Sequence, residues 1–433
     1  MKYFPLYFIV IYISSTFLLA IFGPVIYHEL DIEILSIYLS LILSSITIGF
    51  MIAVNKPLVY EKVGRFEGSL YPNKFFNVVL FTSLTGFFLT FFIFYTSNQI
   101  NLDIGSIGQT YAEGYKDYEK NSGSYSLSFI LYSLLSTPNF FVAIWGIYFF
   151  PHIENYKKVA VLTCAFGAPA LFTLSAGTQK NIGDVFMYLS AIIFIKIAVN
   201  RDRKFIINII KIFSLSVFGA FALTFILGQR YSAISVDAFN INEREISLLS
   251  YDLDNVIFHI FGPDIGFTLA ILSGYLTNGY NGLSYALHTQ STWSFMLGSS
   301  YSMSVIGERV FGLPSGYLNS YPYLTAIESG WGETRWYSVF SWFASDFTFA
   351  GTIPLFGFFA YVYGRAWMES IRFQNPFSIA IFCLLTLGAF MMPANNQLMQ
   401  TPGGLLTLGA TVFCYLRFRK RYNISRNVSG NTQ

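Results

Sequence analysis

Scarcity of charge is the strongest constraint on this chain. Apolar runs follow one another through 433 residues, and only 11% of those residues are Asp, Glu, Lys or Arg, with 54% hydrophobic. Soluble chains average about 25% charged. A surface this poor in charge cannot be hydrated along its length, whereas a helix in lipid satisfies its own backbone and needs only apolar side chains. The chain therefore reads as an all-α, polytopic membrane protein folded as one bundle over residues 1–433. A crossing takes roughly 17–25 helical residues. About ten runs meet that length, at 4–27, 33–54, 75–97, 127–150, 158–176, 182–200, 205–228, 348–366, 376–393 and 402–417.

The sparse charges are sorted. Connections bearing Lys2, Lys56, Lys62, Arg65, Lys74, Lys157, Lys158, Lys196, Arg201, Arg203, Lys204, Lys211, Arg365, Arg372 and the tail from Arg417 to Arg426 hold 19 of the 26 basic residues. Of the 23 acids, only Glu61, Glu67, Glu154, Asp202 and Glu369 lie on that side. Lys and Arg gather on cytoplasmic flanks, so both termini are expected inside and the alternate connections outside. The net charge of +3 gives no reason to expect a nucleic-acid partner. Cys164, Cys383 and Cys414 fall in apolar segments with no metal-ligand spacing, which points to packing. Lys2 precedes an apolar run with no convincing cleavage site, so the first run is expected to be a retained span.

Two outer connections exceed a turn. One includes an acidic, tyrosine-bearing stretch at 109–125, expected as a surface helix. The other, residues 229–347 between spans seven and eight, reads as a partly helical outer loop and holds four of the six tryptophans. Its run Ile265–Leu272 is too short to cross and is expected to dip into the interface or pack on the bundle.

This loop has the residues suited to chemistry. Arg230, Arg309 and Arg335 are permanently charged, planar donors that match a diphosphate. Snorkelling or surface ion pairing would account for them equally well. Glu308, Asp346 and His288 are the candidate proton acceptors. Asp346 stands where the chain returns to apolar sequence, a place where Asp also serves as a helix N-cap. Tyr275 and Tyr280 offer flat amphipathic faces for sugar rings, or belong to an interfacial aromatic belt. No HxxxH, DxD or HExxH spacing occurs in the loop, so neither a metal nor a cofactor is expected.

Two stretches carry a resemblance to a known family. Gly274-Tyr-Leu-Thr-Asn-Gly-Tyr-Asn-Gly-Leu-Ser-Tyr-Ala-Leu287, and Val339–Gly364 with its Asp-Phe-x-x-x-Gly pattern, resemble the O-antigen polymerases of bacterial surface polysaccharide assembly. That resemblance implies an inverting inner-membrane glycosyltransferase that joins oligosaccharide repeat units carried on undecaprenyl diphosphate at the periplasmic face. It further implies membrane lipid, a chain-length regulator and a flippase as partners. The periplasmic arginines Arg230, Arg309 and Arg335 are implied as diphosphate or glycan contacts. The family's arginine-to-glycine spacing is not kept after Arg230, where Ile246 stands at the glycine's place. The O-antigen ligases share the layout, and His288 with Gly298 beyond it echoes their histidine. A lipid-linked oligosaccharide flippase or other transporter is the remaining alternative, although spans almost free of charge fit it poorly.

Overall fold

A computed structural model of the chain describes residues 1–58, 73–96, 100, 127–176, 180–199, 207, 210, 214, 219, 227–228, 231, 248–290, 292–331 and 336–429. The acidic stretch at 109–125, most of the expected span at 205–228, Arg230 and Arg335 lie outside the described residues. Within them the chain is almost entirely helical. Seven helices are long and apolar enough to cross a membrane.

The first helix, α1 (Phe4–Phe22), ends earlier than the apolar run, and the chain continues as a short strand β1 (Val25–Tyr27). Asp31 then caps α2 (Ile32–Asn55), accepting from the backbone N–H of Ile34 at 3.0 Å. α3 (Asn73–Thr96) and α4 (Leu127–Tyr148) follow. The next run begins as α5 (Asn155–Leu162), widens into a π-turn at Thr163–Gly167 and resumes as α6 (Ala168–Ala176). Pro169 explains the break, because it has no N–H to give the helix ladder. α7 (Lys180–Val199) completes this half.

Strand β2 (Leu249–Tyr251) pairs antiparallel with β1, Val25 opposite Tyr251 and Tyr27 opposite Leu249. Helices α8 (Val256–His288), α9 (Tyr301–Phe311) and α10 (Tyr321–Ser329) come next. Then follow α11 (Val339–Phe373), α12 (Pro376–Met391) and α13 (Pro402–Ser429). α11 breaks at Thr348 (φ 60°, ψ 164°), so the expected span at 348–366 is its second half, running on to Phe373.

Hydrogen bonds between helix ends sort the bundle into two faces. At one end Lys2 Nζ donates to Asn55 Oδ1 at 2.6 Å, Lys196 Nζ to the carbonyl of Ile147 at 3.4 Å and Trp145 Nε1 to the carbonyl of Pro376 at 2.8 Å. Arg365 is buried there, and its Nη1 donates to the carbonyl of Lys56 at 2.9 Å, beside those of Ala53 and Pro57. A guanidinium at a helix C-terminus satisfies orphan carbonyls and meets the negative end of the dipole. These are residues that the charge pattern assigns to one side. The opposite end carries β1, β2, α8–α10, the first half of α11 and the chain between α12 and α13.

Among the described residues, α2 and the second half of α11 pack against each other most extensively. Ser45, Gly49 and Ala53 recur every four residues on α2 and face Gly357 and Gly364 on α11. A methyl built on Gly49 overlaps the Gly357 carbonyl oxygen, and one on Gly364 lies 2.9 Å from Ala53 Cβ. Ser45 Oγ donates to the carbonyl of Ile353 at 2.7 Å. Small residues at this spacing let backbones approach where lipid supplies no hydrophobic drive. Gly49→Leu is expected to push α2 from α11 and cost about 3 kcal/mol or more, read as a lower thermal midpoint in detergent. Leu41→Ala, on an exposed face, is expected to change stability by less than about 1 kcal/mol.

Candidate functional site

The site is built on α8. Asn255 caps this helix, accepting from Ile257 N–H at 3.3 Å, and Gly262 (φ 76°) with Pro263 sets its direction. The 33 residues of α8 are apolar and long enough to cross a membrane, and many of their contacts fall near one end of the bundle. Phe267 meets Tyr231, with ring centroids 5.6 Å apart, and Thr268 faces Gly228. Tyr27 OH bonds Thr277 Oγ1 at 2.7 Å and donates to Asn278 Oδ1 at 2.8 Å. Asp31 N–H donates to Ser284 Oγ at 2.9 Å. The dipping segment expected at Ile265–Leu272 is one part of this much longer helix.

Its glycine-tyrosine stretch has a packing explanation. Gly279 lets the Pro393 carbonyl and the Ser338 N–H come against the helix, and Ser338 N–H donates to the Gly279 carbonyl at 3.3 Å. Gly282 seats Tyr337 and Trp331. Tyr280 is fully buried, its OH bonded to Thr16 Oγ1 at 2.9 Å and donating to the carbonyl of Ile13 at 3.2 Å. It pins α8 to α1, and no ring face is open to a sugar here. Tyr275 is half-buried with its ring edge-on to Trp336, centroids 4.7 Å apart.

Asp346 closes the last turn of the first half of α11, and it does not cap the helix that follows. Thr348 does that, its Oγ1 accepting from Gly351 N–H at 3.4 Å. The Asp346 carboxylate instead accepts from Gly298 N–H at 2.9 Å, Ser299 N–H at 2.8 Å, Ser294 Oγ at 2.5 Å and Ser299 Oγ. Four donors fill the four lone-pair directions a carboxylate offers. The loop they gather is strained, for Phe295 (φ 58°) and Met296 (φ 59°) are both left-handed. Bulky residues there cost on the order of 1–2 kcal/mol each, and the hydrogen bonds to Asp346 offset that cost. Trp293, Phe295 and Met296 consequently face outward, 61%, 41% and 44% exposed.

His288 ends α8. It is exposed, and its Nε2 lies 3.1 Å from Asp31 Oδ2. The Ile34 N–H holds the Asp31 carboxyl below its ordinary value, with His288 adding to the effect. Glu308 and Arg309 stand exposed in the last turn of α9, which Gly312 (φ 63°) terminates beside exposed Val310 and Phe311. Among the described residues, no hydrogen bond or ion pair joins any two of Tyr275, Tyr280, His288, Glu308, Arg309 and Asp346. Each is held by other partners or faces out.

The chain between α12 and α13 is the part that sequence reasoning passed over. It ties the cap to the bundle: Val339 N–H donates to the Met392 carbonyl at 3.1 Å, and Asn396 Nδ2 to the Ser299 carbonyl at 2.6 Å. Ser300 Oγ donates to the Met399 carbonyl, Ser302 Oγ to that of Gln400 at 2.7 Å, and Gln397 Nε2 to Asp184 Oδ1 at 2.9 Å. The available signal was Asn395, Asn396, Gln397 and Gln400, four amides in a short connection between apolar runs. Among the described residues, no three His, Cys, Asp or Glu side chains cluster in a way that suits a metal ion.

Asp346→Ala is expected to free the loop around Phe295 and Met296. Losing hydrogen bonds to a charged acceptor should cost about 3 kcal/mol, seen as a lower thermal midpoint and new proteolytic cleavage between Thr292 and Ser300. Glu308→Ala, with an exposed side chain, should change neither. Comparison with protein-family models, curated proteins and solved structures finds no match to this chain.

Proposed function

We propose that the chain is a membrane glycosyltransferase that joins oligosaccharide repeat units carried on undecaprenyl diphosphate, working at the outer face of the bacterial inner membrane with both termini cytoplasmic. The observation that carries this reading is the folded cap. Residues 248–290, 292–329 and the first half of α11 pack toward the end of the bundle away from Lys2 and Arg365, which on this reading is the outer face, where a lipid-borne headgroup would stand. A transporter has no evident need of such a cap.

In the reaction, a hydroxyl of the acceptor unit attacks the anomeric carbon of the growing chain. The new C–O bond forms as the bond to the diphosphate oxygen breaks, and the hydroxyl proton passes to a base. Positive charge builds on the sugar and negative charge on the departing diphosphate. Of the candidate bases, His288 is the one suited by its surroundings. With Nε2–H donated to Asp31, Nδ1 keeps a free lone pair, and the carboxylate fixes the tautomer and steadies the imidazolium. Asp346 has its lone pairs occupied and serves as the anchor of the 294–299 loop. Arg309, exposed and always charged, suits the diphosphate.

The same His288–Asp31 pair favours a second reading, transfer of a finished chain to a different acceptor, as in the ligases. Deleting the gene separates the two. Loss of the long-chain ladder with a single repeat unit still attached to the surface lipid fits the polymerase, and loss of all attached units fits the ligase. His288→Ala at normal protein level is expected to lower product by about 100-fold or more, and Arg309→Ala to remove the ladder. Unchanged ladders in both variants would overturn the assignment.

A further inference from the structure

Trp293, Phe295 and Met296 turn outward from the loop that Asp346 holds, and Val310, Phe311 and Leu313 turn outward at the end of α9, Phe311 being 70% exposed. The two groups belong to one surface, because the loop and α9 pack together through Leu297. A Cβ built on Gly307 of α9 would overlap the Leu297 side chain, and one on Gly316 would overlap both Leu297 and the Ser294 carbonyl. Leu313 N–H donates to the Gly307 carbonyl at 3.0 Å, which folds the chain after α9 back beside the loop.

The level of this surface follows from what the loop is bonded to. Asp346, which accepts from Gly298 and Ser299, stands two residues before the break at Thr348 where the second half of α11 begins. The carbonyls of Met399 and Gln400, which accept from Ser300 and Ser302, stand just before α13 starts at Pro402. The surface thus sits where two apolar helical runs begin, at the height of a bilayer's boundary. It also continues an apolar edge of the bundle. Phe347 is exposed next to Asp346, and Ala350, Pro354 and Phe358 follow on α11 as exposed residues one turn apart.

A contiguous patch of large apolar side chains on a surface marks contact with a partner or a membrane. Here the fold maintains the exposure, since Phe295 and Met296 are held in left-handed backbone with their side chains outward. Tryptophan and other amphipathic or apolar residues at this height favour the lipid interface. The charged residues between 292 and 319 are Glu308 and Arg309, adjacent and opposite in sign, so the attraction is apolar and not to headgroup charge.

We infer that the tips of the 292–299 loop and of α9 form a wedge that inserts into the lipid leaflet at the capped end and holds the cap against the membrane. The occupant of the patch is the boundary between headgroups and acyl chains. This role does not depend on glycosyl transfer.

The native chain supplies its own probe. Trp293 is exposed, whereas Trp145, Trp331, Trp342 and Trp367 are buried and Trp336 is half-buried. Full-length protein is reconstituted in vesicles of phosphatidylcholine brominated either near the headgroup or near the chain ends, and tryptophan emission is compared with that in unbrominated lipid. An interfacial segment lies about 5–10 Å into the headgroup and acyl boundary, so emission should be lost with the shallow bromines, and Trp293→Phe should remove most of that loss. A bimane label on Phe311→Cys, corrected for labelling of the native cysteines, should be quenched by the same lipid, and one on Glu328→Cys, an exposed acid of α10, should not. Exchanging half of the lipid for phosphatidylglycerol should leave the quenching unchanged. The inference fails if Trp293→Phe leaves the shallow quenching as it was, or if the Phe311 label is not quenched. Cross-linking between Phe311→Cys copies without quenching would give the patch to a second copy of the chain and overturn it. Quenching that needs phosphatidylglycerol and disappears in high salt would give it to charged headgroups and overturn it as well. A glycan ladder that survives gene deletion would remove the glycosyltransferase reading and leave the wedge standing.

Discussion

Everything at the capped end depends on the close approach of α2 and α11. Helices in lipid gain little from hiding apolar surface from one another, so their association rests on shape and on short polar contacts. Ser45, Gly49 and Ala53 against Gly357 and Gly364 provide the shape, and Arg365 locks the α2 carbonyls at the far end. The short half of α11 that bears Asp346 joins the membrane half directly at the break at Thr348, with no intervening loop. The cap inherits its position from a stripe of small side chains.

The cap itself is held chiefly by polar groups. Tyr27, Asp31, Thr16, Ser338 and the carbonyls of residues 392–400 each satisfy a group on α8, α11 or the loop at 294–302. Such bonds contribute about 1 kcal/mol apiece, but leaving one partner buried and unmatched costs more. That asymmetry favours one arrangement of the cap over its alternatives. It also supports local strain, which is how two left-handed residues, Phe295 and Met296, persist around a single carboxylate.

The carboxylates of this end illustrate how environment divides roles among like groups. Asp346 is saturated by donors and positions a loop. Asp31 is shared between a helix N-terminus and an exposed histidine. Asp184 is held by the Gln397 amide of the chain between α12 and α13. Chemical reactivity belongs with the groups that retain an unused lone pair or proton, and by that criterion His288 stands out.

The sequence by itself determined the membrane-spanning helical class, the sorting of charge to two faces and the place where the chain returns to the bundle after Asp346. These follow from composition and from spacing within a single helix, which are local properties. It also marked Asp346 as unusual by position, where the chain returns to apolar sequence. Tertiary structure alone decided that the run at 265–272 belongs to the long helix α8, that Tyr280 is a core residue and that Thr348 takes the capping role expected of Asp346. It likewise decided that Asn396 and Gln397 tie the cap to the bundle, with Gln397 reaching Asp184 across 213 residues of sequence. The physical reason is common to all of these. Each rests on a hydrogen bond or close contact whose direction is set by how helices pack, and amphipathic residues such as Tyr, Asn and Thr read alike in sequence whether they face water, sugar or another helix.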